Sequence, residues 1–374
     1  MYSQQELDEA VAAGVVSAES VDALRAYVAR ERSAIPDEEQ FRLLTGFNDI
    51  FVTIAAAILL FALGWIGQSI GQSTGLYVND HSGDGGPSFL APLFVAAASW
   101  GLALFFTARR RMALPSILLL LGFVGGVLAS TAFLLVQVIG ADRFNTPDQT
   151  LPAIIGGVSA AIAAAAAYVH WRRFHVPITV AAGAAAVAGI FLAGVVAIVQ
   201  PGDGEAAKNL ILGFVLFLGV GMFLFAMWWD SSDRARLTRR SDVAFWLHLL
   251  AAPMIAHPIF TLMGLNNGTV GTGEALMVVG LYVLFGLTAL AVDRRALLVS
   301  ALAYVLYALT ELFKRFGAVE LNVALTALVI GSALLLLSAY WHQARRLVVT
   351  QLPENLRERL PILDRTVVAT QQAA

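Results

Sequence analysis

One apolar stretch, residues 246–261, holds two histidines and two prolines: His248, Pro253, His257 and Pro258. An imidazole is a proton carrier, a hydrogen-bond partner or a metal ligand. Inside a long apolar run it is also costly, and an intramembrane titratable group marks a site by default. Each proline removes a backbone N–H, so the helix is expected to kink or break, and irregular helices at membrane depth are where ion and solute sites form. The imidazoles lie nine residues apart, roughly 180° around a straight helix. They serve either as separate anchors to neighbouring helices or, across a kink, as one proton or solute site. A second set, Tyr304, Tyr307 and Glu311, falls at i, i+3 and i+7 on one face, with Lys314 and Arg315 within reach of the carboxylate. It reads as an interfacial ion pair or as a gate with a proton-carrying acid. At the start of the first apolar run stand Asn48 and Asp49. An acid there suits a helix N-terminus, or it joins a preceding module to the bundle.

Other chemistry is excluded or lacks a pattern. The chain has no cysteine, which removes thiolate metal sites, disulfides and Cys nucleophiles. It contains no GxSxG elbow, no HExxH and no phosphate-cradling Gly loop with a Lys. No catalytic residue, metal site or cofactor is therefore assigned. Asn79, Asp80, His81 and Asp84 are ligand types without a ligand spacing and read as a solvated loop. A net charge of -2 argues against a nucleic-acid partner.

The elements that must position these residues are apolar helices. Of 374 residues 58% are apolar and 13% charged, far from the composition of a soluble domain. Ten apolar runs, near 50–70, 89–107, 113–139, 152–169, 176–199, 210–229, 243–264, 275–292, 296–313 and 321–341, are each close to the length that spans a bilayer. With the N-terminus inside, only Arg143, Lys208, Lys314 and Arg315 of the 24 basic residues fall outside. That is the positive-inside distribution, and Trp171, Trp228, Trp229, Trp246 and Trp341 sit at the same inner ends. Gln68, Gln72, Gln137 and Gln200 fall at outer ends and read as interfacial solvation. The pair Arg109-Arg110 recurs as Arg172-Arg173 and Arg294-Arg295, either a hairpin repeat or the rhythm of any tightly looped polytopic chain.

The expected fold is all-α: a polytopic integral membrane helix bundle of about ten transmembrane helices with a small N-terminal helical module. Residues 1–46 are the cytoplasmic module, 47–341 the transmembrane bundle and 342–374 a cytoplasmic tail, interfacial and then disordered. In the module, Gly14 is a stop, Ser17 a cap, and Val21, Leu24 and Val28 an inner face. The 22 Arg against 2 Lys point to a GC-rich bacterial genome.

The module 7–24, with its turn Gly14-Val15-Val16-Ser17, and the entry from Phe41 through Thr45-Gly46-Phe47 to Asp49 resemble uncharacterised bacterial polytopic membrane proteins of domain-of-unknown-function type. The resemblance covers about the first 60 residues and implies architecture and a place in the bacterial inner membrane, without an activity. The first functional expectation is a permease-like carrier for a small solute or proton, with the bilayer as its surroundings. The alternative is a scaffold, assembly factor or sensor whose cytoplasmic protein partner binds residues 1–46. A lipid-modifying intramembrane enzyme ranks below both, because a histidine base without oriented partners rarely suffices.

Overall fold

The computed structural model describes residues 11–33, 47–79, 85–144, 146–200, 204–236, 238–264, 272–315 and 321–363. These described residues are all-α, helices and turns without a strand. Contacts divide the chain into one unit of residues 1–41 with 362–374 and a second of residues 42–361.

In the first unit, Gly14 turns at φ 69° and Ser17 Oγ accepts the Ser20 N–H at 3.1 Å. Helix α1 (Ala18–Ser33) follows. Val21 is buried while Leu24 is exposed, so the expected apolar stripe does not face inward as a whole. The side chain of Val28 lies outside the described residues.

The second unit contains α2 (Phe47–Thr74), α3 (Leu90–Phe106), α4 (Ala113–Ile139), α5 (Thr150–Phe174), α6 (Ile178–Val199) and α7 (Glu205–Ser231). There follow α8 (Arg239–Leu262), α9 (Thr272–Val292), α10 (Ala296–Arg315), α11 (Asn322–Ala339), α12 (Trp341–Thr350) and the single turn α13 (Glu354–Arg357). Among the described residues, eight helices are long and apolar enough to cross a membrane: α2, α4 to α9 and α11. Two more of the ten expected spans, α3 and the stretch 297–310 of α10, are apolar but shorter. The tail to Pro361 folds with this unit rather than leaving it.

Helices in lipid gain little from burying apolar surface against one another, so close backbone approach and polar ties carry their association. Small residues serve that purpose here. Cβ atoms built on Gly183 and Gly189 of α6 would lie 3.5 Å from Ala167 and Ala160 of α5. At the opposite end from the arginine-rich turns, glutamines clamp loops. Gln68 Nε2 donates to Gly86 O at 3.0 Å while its Oε1 accepts Ser88 N–H at 2.8 Å. Gln200 closes α6 at φ 50°, accepts the Gln149 N–H at 2.7 Å and donates to Thr150 Oγ1 at 2.6 Å. The reading of Gln68 and Gln200 as solvation groups is corrected: each satisfies loop backbone that water would otherwise have to reach.

Helix α8 is the centre, packed on α6, α7 and α10. Half of its apolar window is buried inside the protein, against 6% for α6. Despite Pro253 and Pro258 it runs as one helix of 24 residues, so the prolines do not break it. Pro258 has no N–H for the carbonyl of Met254, and Gly219 of α7 lies against that peptide: a Cβ at 219 would stand 2.8 Å from Met254 C and O. The glycine lets α7 close onto the carbonyl that the proline releases.

Gly219→Val is therefore expected to force α7 off α8 and to cost about 1–3 kcal/mol. The check is a lowered apparent Tm in detergent, with Gly221→Val, where an added Cβ meets open space, as the control that stays near wild type.

Candidate functional site

The polar core of the second unit is built where α7 ends and α8 begins. Asp230, on the last turn of α7, has a side chain fully shielded from solvent. A carboxylate taken out of water is tolerable only when ion-paired and hydrogen-bonded. Arg294, from the turn between α9 and α10, donates to Asp230 Oδ1 from Nη2 at 2.6 Å and to Oδ2 from Nε at 3.3 Å. His248, about four turns before the end of α8 at Leu262 on the scale of about 3.6 residues per turn, reaches Asp230 Oδ2 through Nε2 at 2.9 Å. With the carboxylate as acceptor, Nε2 carries the proton. Arg294 Nη2 also donates to Ser241 O at 3.0 Å, and its guanidinium lies 5.9 Å from the centre of the Phe245 ring. One arginine thus joins three segments that are distant in sequence.

A second charged cluster lies beside it. Asp293, adjacent to Arg294, sits in the left-handed region at φ 60°, a conformation Asp adopts more readily than most residues. Its Oδ2 accepts Arg236 Nη1 at 3.0 Å and its Oδ1 accepts the Trp341 indole N–H at 2.8 Å. Arg345 Nε approaches Oδ1 to 3.7 Å, while Arg345 Nη2 donates to Pro361 O at 2.7 Å. Arg236 Nη2 donates to Val292 O and Asp293 O, both at 3.1 Å. Arg234 donates from Nε to Leu360 O at 3.0 Å, and Arg295 lies over Trp341 at 4.7 Å. Asp233 completes the α7–α8 turn, its Oδ2 accepting Thr238 N–H at 2.9 Å and Oγ1–H at 2.7 Å. Two interhelical turns and the chain from 341 to 361 are held as one polar layer.

Of the residues singled out from sequence, the structure brings together fewer than the carrier reading asked for. His248 belongs to the charged layer. His257, nine residues and about 14 Å farther along α8, takes part in a separate arrangement. Its Nδ1 is 2.6 Å from the Tyr304 hydroxyl of α10, and Tyr304 stacks on Phe260 at 4.3 Å between ring centres. His257 and Pro253, one turn apart, are both exposed on the bundle surface, and Pro258 is buried. Tyr307, one turn beyond Tyr304, is exposed. The side chains of Glu311, Lys314 and Arg315 lie outside the described residues, and so do Asp80, His81 and Asp84. Asn48 is exposed and Asp49 buried at the start of α2, where the Asp49 carbonyl accepts Thr53 Oγ1–H at 2.6 Å. One further buried histidine, His170, places Nδ1 3.2 Å from Thr179 Oγ1 within the rings of Trp100, Phe123 and Phe174.

Sequence reasoning missed Asp230, Arg236, Asp293, Arg294 and Arg345. The positive-inside distribution accounts for basic turns but not for which arginines turn inward. The available signal was an acid at the inner end of each of two spans, Asp230 and Asp293, beside arginines. Asp230 thus pairs with His248 on one oxygen and with Arg294 on both. Its geometry is that of a charge clamp. No family model, curated protein or solved structure matches this chain.

Asp230→Ala is expected to cost about 3–5 kcal/mol, because it leaves Arg294 buried without its counter-ion. Asp230→Leu combined with Arg294→Met should cost clearly less than the sum of the two single changes. A double-mutant cycle on unfolding in mild detergent measures this coupling.

Proposed function

We propose that this is a multi-pass carrier of the bacterial inner membrane, with ten spans and both ends cytoplasmic, moving a small solute or a proton. The observation that carries the reading is the exposed His257 ring, tied to Tyr304 within the apolar reach of α8 and α10. A titratable ring facing hydrocarbon is costly. Water lining that face relieves the cost, and water is what a solute path requires. Pro253, one turn before His257, and Tyr307, one turn after Tyr304, are also exposed, and the imidazole–phenol pair offers a donor and an acceptor at one point. The charged layer around Asp230 has the opposite character. It is buried and tied across three helix ends, which suits a rigid base against which α8 and α10 present the polar pair.

The absence of native cysteines makes the test direct. His257→Cys in otherwise wild-type protein is expected to react with a membrane-impermeant maleimide added from one side. Phe217→Cys and Leu224→Cys, on exposed apolar positions of α7, should remain unlabelled. If position 257 is as inert as those two, the carrier reading fails.

A second reading rests on the first unit. Leu24 and Tyr27, one turn apart on α1, are both exposed, as a helix would be that binds a cytoplasmic partner. Here the protein is a scaffold, assembly factor or sensor. Leu24→Glu with Tyr27→Glu in the full-length chain would then abolish recovery of a cross-linked partner while leaving the amount of membrane-inserted protein unchanged.

A further inference from the structure

The arginines of the interhelical turns fall into two sets. Arg236, Arg294 and Arg345 point inward onto Asp230 and Asp293. Arg109, Arg110 and Arg111, between α3 and α4, and Arg172 and Arg173, at the end of α5, are all exposed. Among the described residues none of these five contacts a carboxylate. Three of them lie instead against aromatic rings: Arg110 5.5 Å from the centre of Phe105, Arg172 5.8 Å from Tyr168 and Arg173 5.6 Å from Phe174. Arg172 Nη1 also donates to the Tyr168 hydroxyl at 3.0 Å.

An aromatic contact ties the end of α5 to α3, whose own end carries the other arginines. Phe174 packs on Trp100 of α3 at 5.1 Å between ring centres and joins Phe106 on the cluster of Leu60, Ala103 and Leu119. The recurrence of paired arginines along the sequence therefore hides two different uses. Arg294 is buried, while Arg109-Arg110 and Arg172-Arg173 are presented outward on neighbouring turns. Exposed apolar side chains continue the surface away from the guanidinium groups, namely Leu104 and Phe105 on α3 and Tyr168 and Val169 on α5.

We infer that this surface binds anionic phospholipid, the headgroup phosphate on the arginines and the acyl chains along the exposed faces of α3 and α5. A partner must neutralise several uncompensated guanidinium groups and, within one helical turn, cover hydrocarbon. An acidic protein or a free phosphate meets the first requirement alone. Guanidinium forks match phosphate oxygens in pairs, and the rings beneath them hold the forks in place at low entropic cost. The inference rests on residence in a membrane and is independent of the carrier reading, so inert labelling at position 257 would leave it standing.

The test is lipid retention by full-length protein purified from nanodiscs of phosphatidylcholine alone or mixed with phosphatidylglycerol, read by native mass spectrometry and by apparent Tm. Wild type is expected to retain phosphatidylglycerol and to gain Tm in the mixed discs. The variant Arg109→Gln, Arg110→Gln, Arg172→Gln, Arg173→Gln should lose the bound anionic lipid by about tenfold or more. It should keep the wild-type Tm in phosphatidylcholine, which shows that it folds. Arg239→Gln with Arg240→Gln, on exposed arginines elsewhere, should retain the lipid. Equal loss in both variants, equal retention in both, or displacement of the lipid by inorganic phosphate at matched ionic strength would overturn the proposal.

Discussion

A carboxylate sealed inside an apolar helix bundle imposes more on its surroundings than any other group in this protein. Asp230 has no water to solvate it, so its charge must be met by groups at fixed positions. Arg294 and His248 meet it, and in doing so they set the relation between the end of α7, the first half of α8 and the α9–α10 turn. Because Arg294 also holds the Ser241 carbonyl, and its neighbour Asp293 holds Arg236 and Trp341, the same turn decides where the chain after α11 lies. Removing one member leaves an uncompensated charge on another, which makes the layer behave as a unit.

The apolar parts of the bundle depend on a different constraint. Between helices in lipid, contact area carries little driving force, and backbone approach is set by small residues. Gly219 against the Met254 peptide, and Gly183 and Gly189 against alanines of α5, are the points where this is visible. The prolines of α8 fit the same logic. They leave the helix continuous and release a carbonyl next to which the adjoining helix has placed a residue without a Cβ.

Polar groups are thereby divided between two ends and two roles. At the arginine-rich end, charges are either locked inward, around Asp230 and Asp293, or presented outward, on the α3–α4 and α5–α6 turns. Between the ends, His257 and Tyr304 stand apart from both, on an exposed face. A clamped, buried base and an exposed polar pair thus lie on the same helix, α8, at two different levels.

The apolar runs, their lengths and their basic turns were legible from the residues, because bilayer thickness and the cost of moving charge across it act on local composition. That reasoning located the eight long helices, placed His248 and His257 on opposite faces, and recognised Gly14 and Ser17 as stop and cap. It could not select Asp230 and Arg294 from among the charges near helix ends, since 64 residues separate them and the energy that joins them arises only when both leave water together. It read Gln68 and Gln200 as solvated groups for the same reason: their backbone partners are brought to them by folding. Local sequence determined which segments form long apolar helices; tertiary structure decided which polar groups are buried among them, because burial makes a charge depend on partners that no neighbouring residue can supply.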